Sequence, residues 1–228
     1  MSEIDVTFVC WPNHPARLGY AKHCFETVLE KLAASRHQLV FRCSSESEHD
    51  PRSQWMGDEL QSLCDSCKMP LHWREGKADL GAAMNSALRL GTSPFTFLIQ
   101  DDFELLYPCD LSPGADLLDA EPTLDLIRYG WPPMIEFCGE LRGWPVINVG
   151  GMWCYGDEPQ LRRRSFQDKW GWFTEYHTRH GQSETELLGK MVADNAKISV
   201  ADKMYFGNFG AISAVPATKE YREREVKR

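Results

Sequence analysis

Three apolar runs rich in β-favouring residues alternate with amphipathic helical stretches, and a fourth run, Phe95–Ile99 (FTFLI), stops abruptly at Gln100-Asp101-Asp102. This alternation is the strongest constraint on the chain, because successive strand–helix units fold into a largely parallel sheet covered by helices. An unpaired carboxylate is costly in the buried middle of such a sheet. At the carboxyl end of a strand the same pair stands where open α/β sheets place their ligands. Adjacent side chains on a strand point to opposite faces, so the two carboxylates can serve two partners. One is suited to hold a divalent metal through oxygen, the other to reach a neighbouring hydroxyl group.

The units before that run are legible in order. Ile4–Cys10 reads as a first strand leading into the loop Trp11-Pro12-Asn13. Pro15 to about Arg36 reads as a helix, with Leu18, Ala21, Phe25, Val28, Leu29 and Leu32 at spacings of three and four. Gln38–Cys43 is a second strand that breaks into the polar stretch SSESEHDPRS, and a helix covers Gln54–Cys64. Met69–Trp73 is a third strand. A helix with Leu80, Ala83, Met84, Ala87 and Leu88 on one face follows, ended by Gly91.

The second half has a looser pattern. Pro113–Ala120 reads as a short helix and Leu124–Arg128 as a strand, while residues 131–157 read as long loops around short strands. Arg162, Arg163 and Arg164 read as a solvated helix face, with contact to a diphosphate or an anionic acceptor as the alternative. Ser183–Ala193 is a helix that Ser183 caps and Glu186 completes as a box. Lys197–Val200 and Met204–Phe209 close the fold as strands.

Composition narrows the class. At 228 residues and 43% apolar, the chain suits a single α/β domain with a substantial core. A net charge of −8 argues against a duplex nucleic-acid binder. No apolar run is long enough to span a bilayer, and no signal-peptide h-region follows Met1. The eight cysteines therefore read as reduced core residues of a cytoplasmic protein. Cys64 and Cys67 have metal-like spacing but no second close pair, so an ordinary helix end is expected there.

The order of these features resembles the GT-A glycosyltransferases, and family 2 among them. The helix start appears as Gly81-Ala82-Ala83-Met84-Asn85, the metal motif as Gln100-Asp101-Asp102, and the acidic base motif as Ser183-Glu184-Thr185-Glu186-Leu187-Leu188. The resemblance spans roughly residues 4–210 and implies one GT-A (Rossmann-like) domain with a mostly parallel central sheet flanked by helices. Residues 1–107 would bind the nucleotide-sugar and 108–228 the acceptor.

Carried over by position, the resemblance makes Asp102 the ligand of Mn²⁺ or Mg²⁺ and sets Asp101 against the ribose or donor sugar. Glu184 becomes the general base. Trp11, Asn13 and Ser45 (or Glu46) would flank the base and ribose, and Asp79 and Asn85 would border the donor pocket. Three departures stand out: Gln100 replaces a frequent acid, Ser183-Glu184 replaces Glu-Asp, and no His follows His180. Asn208 in FGNFG is the residue expected where relatives often place a late His.

The implied function is metal-dependent, inverting transfer of a sugar from a nucleoside-diphosphate sugar to a hydroxyl-bearing acceptor such as a carbohydrate. The chemistry agrees: a divalent cation neutralises the departing diphosphate and a distant acid deprotonates the acceptor. A nucleotidyltransferase making a nucleotide-sugar is one alternative. A non-catalytic carbohydrate-binding relative is another, to which the second-half tryptophans would suit.

Overall fold

The computed structural model describes residues 2–12, 14–46, 54–75, 79–130, 136–149, 158–175 and 182–208, with the side chains of 182–184 outside that set. The first half runs β1 (Glu3–Cys10), α1 (Pro15–Lys31), β2 (Leu32–Ala33), β3 (Gln38–Glu46), α2 (Gln54–Ser66), β4 (Leu71–Arg74), α3 (Leu80–Leu90) and β5 (Phe95–Gln100). Then come β6 (Phe103–Leu105), β7 (Cys109–Asp110), α4 (Ser112–Ala120), β8 (Leu126–Arg128), β9 (Phe137–Leu141) and β10 (Trp144–Ile147). The last elements are β11 (Gln160–Arg163), α5 (Phe166–Trp170), α6 (Gln182–Ala193), β12 (Ile198–Val200) and β13 (Phe206–Asn208).

Among the described residues, nine strands form one sheet in the order β4-β3-β1-β5-β11-β8-β12-β10-β9. The four strands from β4 to β5 pair in parallel, as the β–α repeats require. Beyond β5 the sheet is mixed: β11 lies antiparallel between β5 and β8, β12 pairs in parallel with β8, and β10 and β9 continue antiparallel. The chain starts at β1, winds outward to β4, then crosses back to lay β5 on the other side of β1. That reversal puts a crevice at the carboxyl ends of β1 and β5.

Strand periodicity divides the core into two clusters. Ile4, Val6 and Phe8 of β1 and Phe95, Phe97 and Ile99 of β5 meet α1, α2 and α4 on one face. Val9 and Leu98 meet α3, α5 and α6 through Met84, Trp170 and Met191 on the other. A fully buried Asp5 near the amino end of β1 is held by Arg42 at 3.1 Å, Arg164 at 3.3 Å and the Ser93 N–H at 2.8 Å.

Several boundaries differ from expectation, each for a tertiary reason. Helix α1 stops at Lys31, because Leu32–Ala33 turns extended and pairs in parallel with β7. Ser35 and Arg36, expected in the helix, instead bond Asp110 and Ser112. Strand β3 does not break at Cys43: Ser44, Ser45 and Glu46 continue it, buried, because β1 and β4 supply partners on both sides. Arg162 and Arg163 lie in β11, inside the sheet, rather than on a solvated helix face. Arg162 is fully buried over the rings of Phe166 and Phe173, at 5.0 and 5.9 Å. Arg163 donates to the carbonyls of Leu124 and Glu121, and Arg164 to that of Ser93.

Helix α6 begins at Gln182, so Ser183 sits inside its first turn rather than at the cap. Glu186 accepts a hydrogen bond from Thr174, and the Ser183 side chain expected to share its capping box lies outside the described residues. Cys64 ends up buried near the end of α2 as an ordinary core thiol, and Cys67 follows the helix half-buried. Trp170 is buried in the core and donates to Asp125, whereas Trp172 is exposed beneath Arg89. Trp131, Gly150, Gly151, Trp153, Lys77 and the chain beyond 208 lie outside the described residues.

Candidate active site

The crevice between β1 and β5 is built from the backbone upward. Val9 lies opposite Gln100 in the parallel ladder, and the Asp101 N–H continues it by bonding the Val9 carbonyl at 3.0 Å. This pulls Asp101 inside the fold, where it is completely buried. Its Oδ2 accepts the Trp11 N–H at 3.0 Å, which joins the loop after β1 to the end of β5. Trp11 itself stands 38% exposed at the rim, so its ring is free of the core.

The counter-charge comes from helix α1. Pro15 opens that helix with its ring-fixed φ, and the His14 imidazole accepts the Ala16 N–H at 3.1 Å as the cap. Arg17 follows within the first turn and reaches both carboxylates. Its Nη2 lies 2.6 Å from Asp101 Oδ1 and its Nη1 3.2 Å from Asp102 Oδ2. Asp101 Oδ1, held by Arg17 only as an ion pair, and Asp102 Oδ1 are both buried with no hydrogen-bond partner among the described residues. Burial pushes the Asp101 carboxyl up to about 6, with the Asp102 charge adding to it, against the opposing pull of Arg17 and the Trp11 N–H.

A second group sits one and two strands away. Ser45 lies opposite Cys10 at the end of β3, buried, with an Oγ that has no partner among the described residues. Glu46 accepts from Arg74 Nη2 at 2.5 Å and from the Asp79 N–H at 3.0 Å, and burial raises its carboxyl above the ordinary range. Asp79 in turn caps α3 by accepting the Ala82 N–H at 2.8 Å. Parallel neighbours stand about 4.8 Å apart, so Ser45 and Asp101 are separated by on the order of 10 Å along the sheet edge. That row of strand ends is wide enough to lay a nucleoside across.

Asn85 forms a third group. It is buried on α3, donates to the Phe173 carbonyl and the Glu175 carboxylate at 2.8 Å each, and accepts the Phe173 N–H at 3.0 Å. These bonds tie the 173–175 segment to the helix. Glu184 belongs to the first turn of α6, but its side chain, like the whole of Asn13, lies outside the described residues. Asn208 stands opposite Phe103 in the β6–β13 pair, and Phe103 follows Asp102 directly.

Arg17 and Arg74 are the participants that sequence reasoning missed. Arg17 occupies a helical position with no motif of its own, and its only local signal is Pro15, which places it in a first turn facing the end of β1. A divalent cation fits one part of this geometry. Among the described residues no three His, Cys, Asp or Glu side chains gather to hold an ion. The orphaned Asp102 Oδ1 could supply one hard oxygen ligand to an ion whose other ligands were phosphate and water oxygens.

No protein-family model matches the sequence, and neither does any curated protein. Solved structures do. The chain superimposes on Staphylococcus aureus TarS with a TM-score of 0.59 and 14% identity, covering 90% of this chain and 36% of that one. The TarS 1–349 fragment in complex with UDP-GlcNAc gives 0.53 at 14% identity, covering 90% of this chain and 58% of the fragment.

The chain has the GT-A fold.

A CMP:2-keto-3-deoxy-manno-octonic acid synthetase complexed with CTP is similar as well, with a TM-score of 0.54 and 9% identity over 88% of this chain and 89% of that one. The chain thus spans about a third of TarS and nearly all of the synthetase. At these identities the likeness is one of fold. In a GT-A sheet, the parallel half β4-β3-β1-β5 ends at the crevice where Trp11, Arg17, Asp101 and Asp102 meet. Among the described residues no helix is long and apolar enough to cross a membrane.

Proposed function

We propose that this chain is a glycosyltransferase of family-2 type, moving a sugar from a nucleoside-diphosphate sugar to an acceptor hydroxyl. The observation that carries this reading is the acidic pair at the end of β5, facing the β1 loop at the sheet's reversal, with one buried Asp102 oxygen left unpartnered. The TarS fragment of the same fold in complex with UDP-GlcNAc supports a nucleotide-sugar donor. Residues 1–107 bind the donor in this reading, with the nucleoside lying across Ser45 and Glu46 toward Trp11, and Asn13 and Asp79 at the edges. Residues 108–228 receive the acceptor.

Mn²⁺ or Mg²⁺ held by Asp102 would neutralise charge developing on the diphosphate. Asp101 fixes the loop after β1 and orients the ribose or donor sugar, and Asn85 keeps the 173–175 segment closed on α3. Glu184 takes the acceptor proton, and direct displacement inverts the anomeric centre. Seven reduced cysteines among the described residues, most of them buried, suit the cytoplasm.

The test is product analysis with nucleotide-sugars, Mn²⁺ and a panel of hydroxyl acceptors. Release of nucleoside diphosphate is expected, with Asp102→Ala lowering turnover by about a thousandfold, the scale of losing charge stabilisation at a reacting centre. Near wild-type turnover in Asp102→Ala would sink the reading. A second reading, nucleotidyl transfer, draws on the near full-length likeness to the synthetase. Pyrophosphate released from a nucleoside triphosphate and a sugar would establish it instead.

A further inference from the structure

Three of the four carboxylate oxygens of the acidic pair touch the chain itself, one of them, Asp101 Oδ1, through an ion pair to Arg17 that makes no hydrogen bond. Asp101 Oδ2 holds the Trp11 N–H at 3.0 Å, while Asp101 Oδ1 and Asp102 Oδ2 share the Arg17 guanidinium at 2.6 and 3.2 Å. The guanidinium is delivered from a rigid element. Helix α1 is seated on the core by Ala21, Cys24, Phe25 and Val28, all buried, and its start is fixed by Pro15 and the His14 cap. Arg17 is 27% exposed, so water reaches it from the crevice side while both partners lie deeper.

A free divalent cation approaching this pair meets a fixed positive charge, one unpartnered oxygen on Asp102 that is itself buried, and no cluster of further ligands among the described residues. An anionic ligand reverses that balance. It brings oxygen ligands for the cation, and its negative charge is complementary to Arg17.

We propose that Arg17 is the resident counter-ion of the Asp101–Asp102 pair and excludes free divalent cations from it, so that the cation enters only with an anionic partner. The inference rests on the donor-site reading above for the nature of that partner, a nucleoside diphosphate. Arg17 acts here as a positioning residue. Its charge decides what Asp102 can bind, and no bond to it forms or breaks in the reaction.

The experiment is titration of Mn²⁺ into full-length protein, with unbound Mn²⁺ read by its electron paramagnetic resonance signal. Wild type, Arg17→Met, Arg17→Lys and the double variant Arg17→Met/Asp102→Asn are compared, each alone and with UDP, GDP or CDP. Arg17→Met keeps the aliphatic stem and removes the charge. It should bind Mn²⁺ without nucleotide at least about tenfold more tightly than wild type, given the strength of a close charge–charge repulsion near a surface. The double variant should lose that gain, and Arg17→Lys should stay near wild type.

Equal Mn²⁺ affinity in Arg17→Met and wild type overturns the proposal, as does an Arg17→Lys protein that binds as tightly as Arg17→Met. Wild type alone also decides it if the neutral variant fails to fold: tight Mn²⁺ uptake without any nucleotide contradicts exclusion by Arg17, and uptake only in a nucleotide's presence, beyond what the same nucleotide takes up without protein, supports it. If Arg17→Met gains affinity for Mn²⁺ while no nucleoside diphosphate affects any of the proteins, Arg17 keeps its role and the nucleotide-sugar reading falls.

Discussion

Asp101 shows how one residue can carry a structural and an electrostatic load at once. Its backbone extends the β1–β5 ladder, its carboxylate ties down the Trp11 loop, and its burial makes the charge expensive even beside Arg17. The carboxyl is pushed from 3.8 up to about 6 by that burial. The folded chain therefore holds the Asp101 proton more tightly than the unfolded chain does. This contribution to stability is full below about 3.8 and is lost as pH rises through about 6. Asp101→Asn, neutral at every pH, removes the dependence. Unfolding in urea between pH 4 and 6.5 should show the stability advantage of wild type over Asp101→Asn shrinking by about 2 kcal/mol as pH rises. A constant difference across that range would mean that Asp101 ionises normally.

Helix α3 shows the same economy one level up. Its start carries Gly81 and Asn85, four residues apart and thus on one face, and both meet the 173–175 segment. Asn85 bonds that segment from the side, and a Cβ on Gly81 would lie 2.3 Å from the Thr174 carbonyl oxygen. The glycine is there because backbone passes over the helix. Gly81→Ala should therefore destabilise the protein by about 1–3 kcal/mol, the range for forced overpacking. Gly19, on α1, has nothing within 4 Å of its would-be Cβ. Gly19→Ala should stabilise by about 0.5–1 kcal/mol through helix propensity. Midpoints of urea unfolding compare the two directly, and a Gly81→Ala protein as stable as wild type would show that the segment does not sit against α3.

For the whole molecule, the two hydrophobic clusters are two faces of the same strands. Val6 and Phe8 face one and Val9 the other, as Phe97 and Leu98 do on β5, so neither face can dissolve while the other keeps the sheet. Unfolding should accordingly be a single cooperative event, despite a chain longer than most two-state domains. Tryptophan emission reports from both faces, since Trp73 and Trp144 pack on one cluster and Trp170 within the other. It should trace the same transition as far-ultraviolet circular dichroism. Two separated transitions would show that the second half, beyond β5, holds its own core.

How far the fold could be read in advance follows from where the information resides. The β–α repeats through Gln100, the helix ended by Gly91 and the acidic strand end were legible because local periodicity and punctuation encode them. The fate of Leu32–Ala33, Ser44–Glu46 and Arg162–Arg164 was not, because partners far along the chain decide it. Each is polar or short by local criteria, yet Leu32–Ala33, Ser44–Glu46 and Arg162–Arg163 are held as strand, and Arg164 is fixed beside it, by neighbours tens of residues away. Asp101 and Asp102 stood out as a candidate site because an acidic pair has no place in a sheet interior. Arg17 was invisible because nothing local distinguishes it from any other arginine in a helix.

The amino-acid order by itself determined the parallel half of the sheet, the position of the acidic pair at its edge and the two-faced alternation of the core, since these depend on contacts a few residues apart. Only the tertiary structure decided that β11 enters the sheet antiparallel, that three consecutive arginines serve the framework, and that Arg17 neutralises Asp101 and Asp102. Those outcomes depend on which charges and backbone groups are brought together from opposite ends of the chain, and burial then makes each pairing compulsory.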